Sequence, residues 1–139
     1  MLISRDFAAI GRYLRRQRNR YMEPFGLKGL HARMLLDIAE HPGLSQDALA
    51  QKSGFDKSNI ARQMTVLEEG GFIRRTPSAQ DKRAMEVYPT EKTQALRPQL
   101  LEAMEQWEQK LTCALTEEEK AQLTGLLEKL RTAATEDEG

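Results

Sequence analysis

The sequence holds one cysteine, Cys113, and two histidines, His31 and His41. A single thiol closes no internal disulfide, and two isolated imidazoles make no metal-ligand set. Aromatic residues are 6% of the chain. That scarcity, beside abundant Ala and Leu, favours a mostly helical fold. No apolar run approaches the ~20 residues that cross a bilayer. The opening "MLISRDF" lacks the apolar core of a secretion signal, so the cytoplasm is the expected compartment. Nucleophile–base–acid spacing and a phosphate-cradling Gly loop are also missing, so neither an enzyme nor a cofactor nor a metal is expected.

Net charge is missing too: 21 Lys and Arg balance 21 Asp and Glu. The distribution is uneven. Residues 1–90 hold 15 basic and 10 acidic residues, whereas residues 91–139 hold 6 and 11. A basic front and an acidic back hide behind a neutral total, and local fields are what attract phosphates.

Ser4 is read as the cap of a first helix to about Met22. Phe7, Ile10, Leu14 and Tyr21 recur along one face at helical spacing, with arginines from Arg12 to Arg20 opposite. Pro24, Gly26 and Gly29 break that pattern. A second helix is expected from about Leu30 to Glu40, with Met34, Leu35 and Ile38 inward. Ser45 then caps "SQDALAQKS", and Asp56 caps "KSNIARQMTVLEE", which Gly70 and Gly71 end. Two short helices joined by "GFD" signal a helix-turn-helix. "FIRRT" and "AMEVY" read as a hairpin with a polar tip. Thr90 is read as the cap of a long helix to about Leu111, and Pro98 inside it predicts a kink near residues 94–98. Thr116 and Glu119 form a capping box before a last helix carrying Leu123, Leu126, Leu127 and Leu130.

If Ile60 faces inward on the Lys57–Glu69 helix, Met64 and Leu67 fall beside it. Ser58, Asn59, Arg62 and Thr65 then lie on the outer half, Gln63 lies at the border, and Lys57 starts the helix. Arg, Asn and Gln at such positions can read base edges in a major groove. Taken alone, any surface helix turns polar residues outward. The neighbouring Gly turn and basic hairpin sharpen the reading. Arg74 and Arg75 on one strand, with Lys82 and Arg83 at the tip, make a basic edge able to follow a duplex backbone. Asp81 is expected to accept hydrogen bonds from the Arg83 guanidinium and so brace the tip. A merely solvated charged loop is the competing account.

The stretch from "LSQDALAQKSGFDKSNIARQ" through "LEEGGFIRR" and "DKRAMEV" resembles the winged helix-turn-helix core of the MarR family. "FGLKGLHARMLLDIA" and "LTEEEKAQLTGLLEKL" extend the resemblance over nearly the whole chain. It implies a mainly α fold with a small β-hairpin wing. Residues 30–89 would form the winged helix-turn-helix lobe, and residues 1–29 with 90–139 a helical dimerisation lobe. It also implies a homodimer on double-stranded DNA, with Ser45 and Gln46 at phosphate. Phe7, Ile10, Leu14, Leu123, Leu126, Leu127 and Leu130 would make the dimer interface. A small aromatic or phenolic effector would lie near Tyr13, His31 and Met34. The expected function is a ligand-responsive repressor on a pseudo-palindromic operator; a winged-helix module that binds protein is the alternative. Pro89, Thr93 and Lys28 depart from the family pattern and bear on the connection between the lobes. Cys113 has Lys110 as its one nearby base in sequence, which does not indicate an activated thiolate.

Overall fold

The computed structural model describes residues 2–138. Six helices and three strands follow in the order α1 (Ile3–Met22), α2 (Gly29–Glu40), β1 (Leu44–Ser45), α3 (Gln46–Ser53), α4 (Lys57–Glu69), β2 (Ile73–Pro77), β3 (Met85–Pro89), α5 (Glu91–Thr112) and α6 (Glu117–Glu138). A 3-10 turn, Glu23–Phe25, joins α1 to α2. Among the described residues no helix is long and apolar enough to cross a membrane. The fold is mainly helical with a small antiparallel sheet as its wing, as expected.

The local signals explain most boundaries. Ser45 Oγ accepts the Ala48 N–H at 3.0 Å, and Asp56 Oδ1 accepts the Asn59 N–H at 2.7 Å. Each satisfies an amide that the first turn of a helix leaves unpaired. Thr116 and Glu119 exchange backbone-to-side-chain hydrogen bonds of 3.1 and 2.9 Å, a complete capping box. Gly54, at φ +76°, and Gly71, at φ +79°, supply the left-handed turns after α3 and α4.

Two expected caps, Ser4 and Thr90, need correction. Ser4 lies inside α1: the cap position is Leu2, which has no side-chain acceptor. The hairpin forms as read, β2 against β3, and β1 adds a third strand in the order β1-β3-β2, because Leu44 and Ser45 pair with Val87 and Glu86. A two-residue strand has no alternating pattern to reveal it. Helix α5 is continuous through Pro98 from Glu91 to Thr112. Thr90 sits at the cap position, but its hydroxyl does not cap α5. It donates to Gly71 O at 2.6 Å, with Phe72 O at 3.1 Å.

The core is one continuous cluster. Leu35, Leu36 and Ile38 of α2, Leu49 of α3, Ile60, Met64 and Leu67 of α4, and Val87 of β3 are all buried in it. Helix α5 adds Leu100, Ala103 and Trp107 to it. Helix α2 packs against α1, α5 and β3, and thus ties the two expected lobes together. Two unusual residues serve the joint. Asn19 Oδ1 of α1 accepts the Gly29 N–H at 2.7 Å and caps α2 from outside. Buried Thr93 donates its hydroxyl to Phe72 O at 2.6 Å.

Candidate nucleic-acid interface

Helix α4 presents two faces. Ile60, Met64 and Leu67 are fully buried, while Lys57, Ser58, Arg62 and Thr65 are exposed. Asn59 and Gln63 lie at the margin, half-buried. Val66 is 51% exposed on the outer side, one turn beyond Arg62. It offers a methyl surface of the kind that contacts thymine. Sequence reasoning did not single it out, although helical spacing from Ile60 puts it on this side.

The basic residues of β2 have separate roles. Arg75 is only 18% exposed in its side chain. Its guanidinium donates to Glu68 Oε1 at 3.0 Å, to Gln46 Oε1 at 3.2 Å and to Thr65 Oγ1 at 3.2 Å. The Arg75 backbone N–H donates to Glu68 Oε2 at 3.0 Å. One side chain therefore fastens β2 to α3 and to α4. Its pull holds the Glu68 carboxyl below the usual carboxylate range. Arg75 was expected as an exposed wing cation beside Arg74; its charge is instead spent inside the protein. Glu68, an acid in the last turn of α4, is paired by it. Arg74 is exposed and stacks over Tyr88, with its guanidinium carbon 4.3 Å from the ring centroid. The Tyr88 hydroxyl in turn donates to Glu86 at 2.8 Å.

At the tip, Lys82 and Arg83 are exposed. Asp81 Oδ1 accepts the backbone N–H of Arg83 at 3.0 Å, and Ala84 N–H donates to Asp81 O at 3.0 Å. Ser78 Oγ receives the Gln80 and Asp81 amides at 3.2 and 3.4 Å. Asp81 does brace the tip, but through the backbone and not the expected guanidinium. A carboxylate two residues ahead of an amide closes an Asx turn, a shorter reach than any side-chain pair.

Ser45 and Gln46 stand at the start of α3. The Ser45 hydroxyl is engaged as a cap and the Gln46 carbonyl is engaged by Arg75, which leaves the Gln46 N–H2 as the available donor.

His31 is 2% exposed. Its Nδ1 accepts the Lys28 N–H at 3.1 Å, and its Nε2 lies 2.8 Å from Gln63 Oε1. Burial pushes its pKa below the ordinary histidine value, so the ring is neutral at pH 7. Of the three expected effector residues, Met34 lines an open crevice between α1, α2 and α5, beside Arg18, Lys28, Met104 and Trp107. Tyr13 and His31 do not line it, since the His31 ring turns toward α4. Asp37 is buried at the crevice wall, with Arg33 Nη2 3.1 Å from its Oδ1.

Phe7 and Ile10 of α1 are 43% and 44% exposed, and Leu14 is half-buried. Leu123, Leu126, Leu127 and Leu130 of α6 are all exposed, and among the described residues α6 buries none.

A model described as MarR family matches residues 25–84. The HTH-type transcriptional regulator YybA of Bacillus subtilis (strain 168) is 34% identical over 97 residues, which is 70% of this chain and 65% of that protein. The chain spans between 58% and 65% of the length of the curated relatives that it matches. The crystal structure of the transcriptional regulator SlyA superimposes with a TM-score of 0.91 at 29% identity, covering 99% of this chain and 96% of that one. A MarR family transcriptional regulator from Listeria monocytogenes, solved with 26mer DNA, gives 0.89 at 27% identity and covers 97% and 90%. The fold is thus matched end to end, and over residues 25–84, from before α2 to the wing tip, the chain is similar to the MarR family.

Proposed function

We propose that this protein is a homodimeric, sequence-specific DNA-binding regulator of transcription in the cytoplasm. The observation that carries the reading is the outer face of α4, where Ser58, Arg62 and Thr65 are exposed on a helix anchored through Ile60, Met64 and Leu67. In this reading the helix enters a major groove by its N-terminal half, and Lys82 and Arg83 reach a minor groove. Arg74 and the amide of Gln46 meet phosphate; Ser45 supports them as a cap. The Listeria relative solved with DNA supports a duplex as the partner.

The exposed leucines of α6 and the exposed Phe7 and Ile10 of α1 support a second copy as their cover. Residues 1–29 and 90–139 then form the dimerisation lobe, and residues 30–89 read DNA. The crevice beside Met34, with an apolar floor and basic rim, supports a small aromatic effector whose binding releases DNA, so that the regulator acts as a repressor.

The test is selection from random duplex DNA by the purified protein at near-physiological salt. A two-fold-symmetric site with half-sites about one helical turn apart is expected. Weak binding that vanishes with salt and enriches nothing would instead favour a protein-binding module. On the selected site, Arg62→Ala should relax base preference and cost about 1–3 kcal/mol. Arg83→Ala should weaken all sequences more evenly.

The tip gives a further prediction. Asp81→Ala should weaken duplex binding although it removes a negative charge, because the Arg83 amide loses its acceptor. Asp81→Asn keeps an acceptor oxygen and should bind at least as well as the natural protein. Filter binding of both variants decides it: tighter binding by the alanine form would mean that the acid only repels phosphate.

A further inference from the structure

A chain of hydrogen bonds runs from the buried start of α2 to the outer margin of α4, and its direction is fixed at one end. The Lys28 backbone N–H can only donate, so His31 Nδ1, 3.1 Å away, must be the bare nitrogen. The ring proton of this neutral imidazole is then on Nε2, which donates to Gln63 Oε1 at 2.8 Å. That orients the Gln63 amide, whose Nε2 donates to Asn59 Oδ1 at 3.2 Å. The Asn59 oxygen is thereby turned toward the protein, and its N–H2 group is left facing outward. No amide along the chain can flip without opposing two donors or two acceptors.

We infer that His31 is a positioning residue for base readout: through Gln63 it fixes Asn59 as a hydrogen-bond donor toward the duplex. This rests on the DNA-binding reading above. An outward donor favours base edges rich in acceptors, such as guanine O6 and N7, over the N4 amino group of cytosine. Gln63 therefore acts from within the protein, and Asn59 does the reading.

Three variants and one spectrum test it. His31→Asn keeps an acceptor where Nδ1 stood but places nothing at Nε2. It retains the bond to Lys28 and loses the one to Gln63. At the half-site position read by Asn59, its preference for guanine over cytosine should fall by about tenfold. Adding His31→Asn to Asn59→Ala should change base preference no further. Asn19→Ala removes a different acceptor at the same helix start, that of the Gly29 N–H. It should lower thermal stability and leave base preference alone. Long-range proton–nitrogen spectra of the natural protein should show a bare Nδ1 and a protonated Nε2.

An unchanged preference in His31→Asn overturns the inference, as does the opposite tautomer. A preference shift that Asn19→Ala reproduces also overturns it, because stability alone would then explain the effect. If the natural protein enriches no site, the DNA-binding reading itself fails and this inference falls with it.

Discussion

Arg75→Ala should lose more duplex affinity than removal of either tip cation, at least about tenfold, although its guanidinium faces the protein. Its loss frees the Glu68 carboxylate in the last turn of α4 and unties Gln46 and Thr65 together. A charged hydrogen bond contributes about 1.5–3 kcal/mol, and partial solvent access around Glu68 reduces that, so a stability loss of about 1–2 kcal/mol is expected. The affinity loss has two sources: a newly unpaired acid near phosphate, and slack between α3, α4 and the wing. Glu68→Gln separates them, because it removes the acid and keeps a partner for Arg75. It should bind DNA nearly as well as the natural protein. Urea midpoints and fluorescence anisotropy on the selected site measure both effects. Natural affinity and an unmoved midpoint in Arg75→Ala would show that the bonds fasten nothing.

Gly29→Ala is expected to destabilise the fold by about 1–3 kcal/mol and to lower Tm by several degrees. A Cβ at Gly29 would collide with the Cβ of Arg18 and would sit 2.9 Å from the Arg18 carbonyl carbon and 3.0 Å from the Asn19 nitrogen. Backbone atoms cannot swing aside, so α1 must move off α2. The gain in helix propensity from Gly to Ala, at most about 1 kcal/mol, offsets only part of this. Gly11→Ala is the internal contrast. Gly11 lies within α1, and a Cβ there would meet nothing of its own chain within 4 Å. It should hold or raise Tm. Calorimetry of the two variants side by side gives the answer, and equal midpoints would mean that the contact at Gly29 relaxes freely.

What could be read from the sequence was what acts over a few residues. Ser45, Asp56 and the Thr116–Glu119 box each bond an amide three positions away, so their spacing announces them. The inward stripe of α4 follows from helical periodicity, and the family pattern rests on the same local runs. Arg75 could not be read in this way. Its partners stand 7, 10 and 29 residues off, and a basic strand residue looks alike whether it meets a phosphate or a glutamate. His31 and Gln63 are 32 residues apart, and only the packing of α2 on α4 gives the pair meaning. Thr93 looked like a departure from pattern until the fold brought the Phe72 carbonyl to its hydroxyl. The sheet was underestimated because β1 is too short to carry a pattern at all.

The start of α5 grips the turn that follows α4. The Thr90 hydroxyl donates to Gly71 O, Thr93 to Phe72 O, and Lys92 Nζ to Gly70 O at 2.9 Å, with its ammonium 4.2 Å from the centre of the Phe72 ring. Three consecutive carbonyls are thus held by donors from one helical turn. A soft joint here would let α5 tilt while α4 stayed still. With three donors on three successive carbonyls, a tilt of α5 along its 22 residues should be passed to the turn that ends α4, which places α5 as a lever arm on that helix.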